Sequence, residues 1–165
     1  MKRDGGLHSS MGELIYIIGP GRLQNELMGF FLEQGTGATC RTSLDLGGVH
    51  DIDDDHRDQP ILFLLDCQGK SLERLLADIE LCRQKDLPRI FVALFNVNTS
   101  VGIEQESVAL GVKGFFYEHD PLDRFPKGVS AIFNGELWAS REVMSRCILE
   151  HKRQKHFPKG DVAGL

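Results

Sequence analysis

The sequence predicts one α/β domain built on a doubly wound, all-parallel sheet with helices on both faces. Short continuous apolar runs alternate with stretches that carry apolar residues at helical spacing, the pattern of repeated β–α–β units. Glycine, proline or aspartate bounds these runs, and parallel strands that are buried on both faces have this uniformly apolar character. The alternation therefore indicates a flavodoxin-like (βα)5 fold with right-handed crossovers and an additional C-terminal sixth helix.

Residues 1–12 mix charge, glycine and serine without periodicity and are predicted to be mobile. The first strand is predicted at 14–18, an apolar run that ends in a Gly-Pro-Gly turn. A helix should follow and end at Gly35. Its apolar face is predicted from residues at helical spacing, namely Leu23, Leu27, Phe30, Phe31 and Gln34. A second strand is predicted at 40–46, before a polar acidic loop at 50–60.

The third strand is predicted at 61–65 and is closed by Asp66. Apolar residues at helical spacing over 72–82 predict the next helix, which must stop before Pro88. A strand is predicted at 90–94. A weaker helix is predicted at 101–110, ending at Gly111, and a fifth strand is predicted at 114–117.

Asp120 and Pro121 form a predicted N-cap and first-turn pair that opens the next helix. The inner face of that helix is predicted from Phe125, Val129, Ile132 and Phe133. Ser140 is predicted to cap the sixth helix. The buried side of the sixth helix is predicted from Val143, Met144, Cys147 and Ile148.

Composition excludes several classes of protein. The chain has 165 residues and a net charge of -5, which argues against this chain alone gripping DNA. No apolar run approaches the length of a membrane helix and no signal peptide is recognisable, so the cytoplasm is expected and a membrane partner is not. The cysteines show no Cys-x-x-Cys spacing and are predicted to be buried thiols: Cys40, Cys67, Cys82 and Cys147. No metal-ligand spacing and no nucleophile–base set is visible, so neither a metal site nor an enzyme is predicted.

Three motifs together resemble a CheY-like receiver domain over about residues 13–150. They are Leu64-Leu65-Asp66, the Gly-Val-Lys-Gly-Phe-Phe segment at 111–116, and Gly-Glu-Leu-Trp at 135–138. The Gly-Glu-x-Trp ending is typical of receivers that precede a LuxR-type helix-turn-helix domain. The resemblance implies a receiver-like domain at 13–134, a loop and sixth helix at 135–155, and a tail at 156–165 that leads towards a helix-turn-helix domain absent from this chain. Contact with DNA would be made only through that domain.

Phosphorylation of a receiver needs parts that this sequence lacks. The carboxylate pair expected after the first strand is replaced by Gly19-Pro20-Gly21, and Asp66 alone cannot supply the oxygen ligands that Mg²⁺ requires. The expected hydroxyl falls on Phe95 or Asn96, and the expected lysine falls on Glu118, which would repel a phosphoryl group. Asp66 is therefore expected to be a vestigial phospho-acceptor.

Trp138-Ala139-Ser140-Arg141 is similar to the W-x-[ST]-R motif of the CsgD and VpsT group of biofilm regulators. The resemblance implies cyclic di-GMP as the ligand, no required cofactor, and a homodimer formed through the sixth helix. Arg141 has the chemistry to stack on a guanine and to donate to its O6 and N7 atoms. Ser140 would meet a phosphate at a helix N-terminus and Trp138 would wall the site. Ala139 is smaller than the apolar residue usual at that position.

Two other functions remain open on the sequence. Trp138 can also be explained as a core residue, Ser140 as an N-cap and Arg141 as a solvated side chain. The chain would then be a ligand-free dimerisation or protein-interaction module. The remaining alternative is a phosphorelay receiver that accepts phosphate on Asp66.

Overall fold

The computed structural model describes residues 12–49, 52, 56–99 and 102–156. Five parallel strands form one sheet in the order β2-β1-β3-β4-β5, which is the flavodoxin-like order, and the predicted fold class is confirmed. The strands are β1 (Leu14–Ile18), β2 (Thr39–Ser43), β3 (Ile61–Asp66), β4 (Ile90–Val97) and β5 (Gly114–Tyr117).

Helices cover both faces of this sheet. They are α1 (Arg22–Thr36), α2 (Leu72–Arg83), α3 (Glu104–Ala109), α4 (Arg124–Phe133) and α5 (Arg141–His156). The part of the connection between β2 and β3 that the structure describes contains no α-helix, although the (βα)5 pattern expects one, and a 3₁₀ turn lies there at Leu46–Gly48. The helix predicted as the sixth is therefore α5.

The core is divided by the sheet into two clusters. One cluster, which includes Leu65, Ile79 and Phe115, lies beneath α2, α3 and α5. The other cluster, which includes Leu64, Leu32 and Ile132, lies beneath α1 and α4. Neighbouring residues Leu64 and Leu65 belong to different clusters because successive strand side chains point to opposite faces.

Several element boundaries differ from the prediction. Helix α1 ends at Thr36 with Gly37 as its C-cap, whose φ of 79° is left-handed, and not at Gly35. Gly35 instead lies against α4, where an added Cβ atom would be 2.9 Å from Pro126. Asp120 is not the N-cap of α4, because its carboxylate accepts the Tyr117 N–H at 2.8 Å in the turn after β5.

The predicted apolar face of α1 is wrong. Leu23, Leu27 and Phe30 are 72%, 62% and 65% exposed. The buried face contains Asn25, Met28, Gly29 and Leu32. The helix is rotated in this way because Asn25 donates its buried amide to the Gly19 carbonyl oxygen, and because Gly29 allows a close approach to the sheet.

The predicted buried faces of α4 and α5 agree better with the burial seen in the structure. All four predicted inner residues of α4 are buried: Phe125, Val129, Ile132 and Phe133. On α5, Val143 is buried and Met144 and Cys147 are half-buried, whereas Ile148 is 57% exposed. The predicted burial of the thiols holds fully for Cys82, and the other three are half-buried free thiols.

Some predictions lie outside the described residues. They are the mobility of nearly all of segment 1–12, part of the acidic loop at 50–60, and the tail beyond His156. Within the described part of the chain, no helix is both long and apolar enough to cross a membrane.

Candidate functional site

Asp66 lies at the carboxyl end of β3, in the middle of the sheet, and only 1% of it is exposed. Its Oδ1 atom accepts the Gln68 N–H at 2.9 Å and the Asn96 side-chain amide at 3.0 Å. Its Oδ2 atom accepts the Gln24 amide at 3.4 Å. Both carboxylate oxygens are thus occupied by donors from the protein, as a buried carboxylate requires.

The amide groups around Asp66 bond to one another as well. Gln24 donates to the Asn25 side-chain oxygen at 3.1 Å and accepts from Asn96 at 3.4 Å. Asn25, in turn, is 1% exposed and donates to the Gly19 carbonyl oxygen at 3.1 Å. We name Gln24, Asn25, Asn96 and Asp66 the amide cage. It joins α1 to the carboxyl ends of β1, β3 and β4.

Asn96 enters the amide cage because β4 is irregular there. The pairing between β4 and β5 shifts register between Leu94 and Val97. Asn96 has a φ of 56°, and it is the one residue other than glycine with a positive φ among the described residues. Asparagine tolerates this left-handed conformation better than most residues do. The irregularity directs its amide at Asp66, where the resemblance expects a hydroxyl.

The groups around Asp66 do not fit Mg²⁺. Mg²⁺ requires octahedral oxygen ligands, supplied by one or two carboxylates together with waters or phosphate oxygens, whereas the neighbours of Asp66 donate N–H groups to it. A Cβ atom added to Gly19 would lie 2.6 Å from the Asp66 Cβ atom, so there is no space for an acidic side chain at that position. Among the described residues, no group of three or more His, Cys, Asp or Glu side chains is placed to hold a metal ion.

A cavity of about 180 Å³ lies beside this end of the sheet, but Asp66 does not line it. Its wall includes Lys70, Asn96 and Glu118. The Lys70 ammonium is bound to the Asp78 carboxylate at 2.8 Å. Glu118 is exposed, at the place where the resemblance expects a lysine. The cavity therefore offers no free cation to a phosphoryl group.

The second candidate site begins with Trp138, which is attached to the edge of the sheet. Its N–H donates to the Lys113 carbonyl oxygen and its carbonyl accepts the Phe115 N–H, both at 2.8 Å. Trp138 thus forms a one-residue parallel bridge beside Gly114. The indole, which is half-buried, packs against the α1 and α4 side of the core.

Residues 138 and 139 point to opposite sides of the sheet edge. Ala139 is 7% exposed and packs in the cluster beneath α2, α3 and α5. The guanidinium over the indole of Trp138 belongs to Arg124, the first residue of α4, at 5.1 Å from the ring centroid. Sequence reasoning missed Arg124 because it is 14 positions away from Trp138 and no local pattern connects them.

Ser140 is the N-cap of α5, as the sequence predicted, because its hydroxyl oxygen accepts the Val143 N–H at 3.3 Å. Ser140 is also hydrogen-bonded to the Tyr117 hydroxyl, which in turn lies 3.3 Å from a Glu104 carboxylate oxygen. Burial raises the pKa of Tyr117, while the hydrogen bonds from Ser140 act in the opposite direction. Ser140 therefore connects α5 to β5 and α3, a role that its spacing did not indicate.

Arg141 is exposed at the start of α5. Within the described part of the chain, no hydrogen bond, ion pair or ring contact involves its side chain. The neighbouring Glu142 is paired with Arg146 one turn further on. Arg141 and Arg124 are thus exposed cations at the starts of the two helices that flank the Trp138 segment.

No protein-family model and no curated protein matches this chain. Solved structures match it in fold. The regulatory domain of the master biofilm regulator CsgD has a TM-score of 0.64 at 18% identity, with 83% of this chain and 98% of that chain covered. A LuxR family DNA-binding response regulator from Silicibacter pomeroyi has a TM-score of 0.56 at 19% identity, with 79% and 98% covered.

RcsB, solved as two dimers bound to two parallel DNAs, has a TM-score of 0.59 at 13% identity, with 80% of this chain and 65% of that chain covered. At these identities the likeness establishes the fold. The chain has the receiver-type fold found in the regulatory domains of these regulators.

Proposed function

We propose that this chain is the receiver-type regulatory domain of a LuxR-type transcriptional regulator that works without aspartyl phosphorylation. Cyclic di-GMP, bound at Trp138–Arg141, would control its dimerisation through α5. Contact with DNA would belong to a separate helix-turn-helix domain. The fold shared with the regulatory domain of CsgD and with LuxR family regulators supports the class of protein.

The surroundings of Asp66 support control without phosphorylation. Its two oxygens are buried and accept three hydrogen bonds, so a phosphoryl donor cannot reach either of them without opening the amide cage. Opening the cage would remove the Gln24 and Asn96 amides from a buried carboxylate, which costs about 1–3 kcal/mol. The phosphorelay alternative is therefore the least favoured of the three functions.

The exposed, unpaired side chain of Arg141 is the single observation that carries the ligand proposal. A guanidinium that stacks on a guanine base contributes on the order of 1–3 kcal/mol, and Arg141 is free to do so within the described structure. Arg124 would add a second cation for the ligand's phosphates or its other guanine. Ala139 would contribute only through its backbone, because its side chain is buried.

Calorimetric titration of cyclic di-GMP tests this proposal. The wild type should bind, Arg141→Ala should lose at least tenfold in affinity, and Arg153→Ala should bind like the wild type. Arg153 is the matched control, since it is an exposed arginine near the other end of α5. An absence of binding heat in the wild type would exclude cyclic di-GMP as the ligand.

A ligand-free interaction module is the second candidate. Ile148 and Leu149 favour it, because each is 57% exposed on α5 and would suit a protein partner or a second copy. This candidate predicts a dimer whose sedimentation is unchanged by cyclic di-GMP and is disrupted by Ile148→Glu. A phosphorelay receiver would instead bind beryllofluoride with Mg²⁺ and lose that binding in Asp66→Asn.

A further inference from the structure

Arg124 covers the face of the Trp138 indole that is turned towards solvent. Its guanidinium carbon lies 5.1 Å from the ring centroid. On the inner side the indole packs against the core, and a Cβ atom added to Gly128 would lie 2.7 Å from its Nε1 atom. Arg124 and Gly128 are one turn apart on α4, so one side of that helix contacts the ring twice. A ligand that approaches Trp138 from solvent therefore meets the guanidinium first.

The side chain of Arg124 can take a ligand without giving up an existing partner. It is exposed, and within the residues that the structure describes it makes the indole contact but no ion pair or side-chain hydrogen bond. The indole occupies one face of the guanidinium plane, which leaves the other face and the N–H groups at its edge. A cation at the first residue of a helix is disfavoured by the helix dipole, so α4 itself does not explain an arginine there.

A guanine base gains more by stacking on Arg124 than by displacing it. Displacement would break an exposed cation–π contact, which changes an equilibrium constant by about two- to fivefold. A base that stacks on the outer face of the guanidinium keeps that contact, and its own stacking contributes about five- to 150-fold. The cation also stays beside the phosphates of the ligand. The favoured order of the stack is therefore indole, guanidinium, base.

We propose that Arg124 is a ligand-contacting residue on which a base of cyclic di-GMP stacks, and that Trp138 is a positioning residue that holds the guanidinium plane from behind. The inference rests on the proposed function, because its ligand is cyclic di-GMP. It gives Trp138 a different role from the wall of the site that the resemblance implies, since the indole contacts the arginine and not the ligand.

Calorimetric titration with cyclic di-GMP tests the role of Arg124. Arg124→Ala should bind about tenfold more weakly than the wild type. Arg124→Lys should lose about fivefold, because lysine keeps the charge but has no plane on which a base can stack. Lys127→Ala is the matched control, since Lys127 is an exposed cation of the same helix, and it should bind like the wild type.

Variants of Trp138 test whether the indole acts through Arg124. Trp138→Phe keeps an aromatic face and should stay within about threefold of the wild-type affinity. Trp138→Leu should lose nearly as much as Arg124→Ala. In the Arg124→Ala background, Trp138→Leu should cause no further loss, because the residue that it positions is already absent. The melting temperature of each variant is measured first, and binding is titrated well below it.

Quenching of Trp138 fluorescence by acrylamide provides a test without ligand, because the chain has one tryptophan. Quenching should be stronger in Arg124→Ala than in the wild type and in Lys127→Ala, since the guanidinium no longer covers the ring. Equal quenching in all three proteins would overturn the proposed arrangement.

The binding results separate this inference from the proposed function. An absence of binding by the wild type overturns both. Binding by the wild type that is unchanged in Arg124→Ala, or retained in full by Arg124→Lys, overturns this inference alone. A further loss in the double variant would show that the indole contacts the ligand directly, which contradicts the positioning role of Trp138.

Discussion

Gly19 lies so close to Asp66 that a Cβ atom added to the glycine would stand 2.6 Å from the Asp66 Cβ atom. The two residues meet because β1 and β3 are neighbouring parallel strands, so that their carboxyl ends lie at the same end of the sheet. In a phosphorylatable receiver, this is the region in which a metal is held. Here the glycine leaves no space for an acidic ligand, and amide groups complete the surroundings of Asp66.

The contact between Gly19 and Asp66 predicts that side chains at position 19 are destabilising. Gly19→Ala should lower the free energy of unfolding by about 1–3 kcal/mol through overpacking. Gly19→Asp should lower it at least as much, because it also places two carboxylates together. Urea denaturation measures both, and Gly47→Ala is the control because Gly47 is exposed and a Cβ atom there comes no closer than 3.3 Å, to the exposed Asp45 side chain. An increase in melting temperature of Gly19→Asp with Mg²⁺ would contradict this account.

The left-handed backbone of Asn96 can be tested separately from its hydrogen bond. Asn96→Gly and Asn96→Ala both remove the amide that contacts Asp66 at 3.0 Å. Alanine should be the less stable by about 1–2 kcal/mol, because only glycine accepts a φ of 56° without strain. Chemical denaturation of the pair measures the difference. Equal stabilities would show that the backbone at position 96 is not restrained as described.

The position of Trp138 depends on a glycine in α4. A Cβ atom added to Gly128 would lie 2.7 Å from the indole Nε1 atom and 2.5 Å from a carbon of the Phe116 ring. Gly128→Ala should therefore displace the indole, shift its fluorescence emission to longer wavelength, and cost about 1–3 kcal/mol of stability. The signal is specific because the chain contains one tryptophan. Ser130→Ala, at an exposed position of the same helix, should leave the emission unchanged.

The buried thiol of Cys82 should make the protein sensitive to alkaline pH. Burial raises the pKa of Cys82 from 9.0 to about 12. The unfolded thiol ionises near pH 9, so its contribution to stability is complete below that pH and is lost as pH rises from 9 to about 12. Over this range, the slope of unfolding free energy against pH should be less steep in Cys82→Ala than in the wild type, by up to about 1.4 kcal/mol per pH unit.

Cys147→Ala is the control for that experiment, since the Cys147 thiol is only half-buried and should affect the slope less. A slope that does not change in Cys82→Ala would mean that the thiol ionises at the same pH in the folded and unfolded protein.

Hydrophobic periodicity located the strands and helices well where burial alone determined the residue types. Strands β1, β3 and β5 were located to within a residue, because strands that are buried on both faces must be apolar throughout. The inner face of α4 was also correct. On α1 the same reasoning failed, because the buried face includes Asn25 and Gly29 while leucine and phenylalanine lie outside. Hydrophobic spacing cannot reveal a buried amide whose partner is a backbone carbonyl elsewhere in the fold.

Some residues of the candidate sites could likewise be identified from the sequence, and others could not. The motif from Trp138 to Arg141 and the missing acidic pair at Gly19 could be read directly from the chain, because each is a matter of residue type at a local position. The guanidinium of Arg124 over the indole and the amide cage on Asp66 could not. They join residues that are 14, 30 and 42 positions apart, and only the docking of helices on the sheet brings them within contact distance.

By itself, the sequence determined the fold class, the succession of the strands and the lack of an acidic pair after the first strand. These follow from the local alternation of apolar residues and from residue identity. The tertiary structure alone decided which side of α1 faces solvent, which cation covers Trp138 and what surrounds Asp66. Those features depend on how each helix is rotated about its axis when it packs on the sheet. Buried polar groups and small residues decide that rotation, and they do not contribute to the hydrophobic periodicity of the sequence.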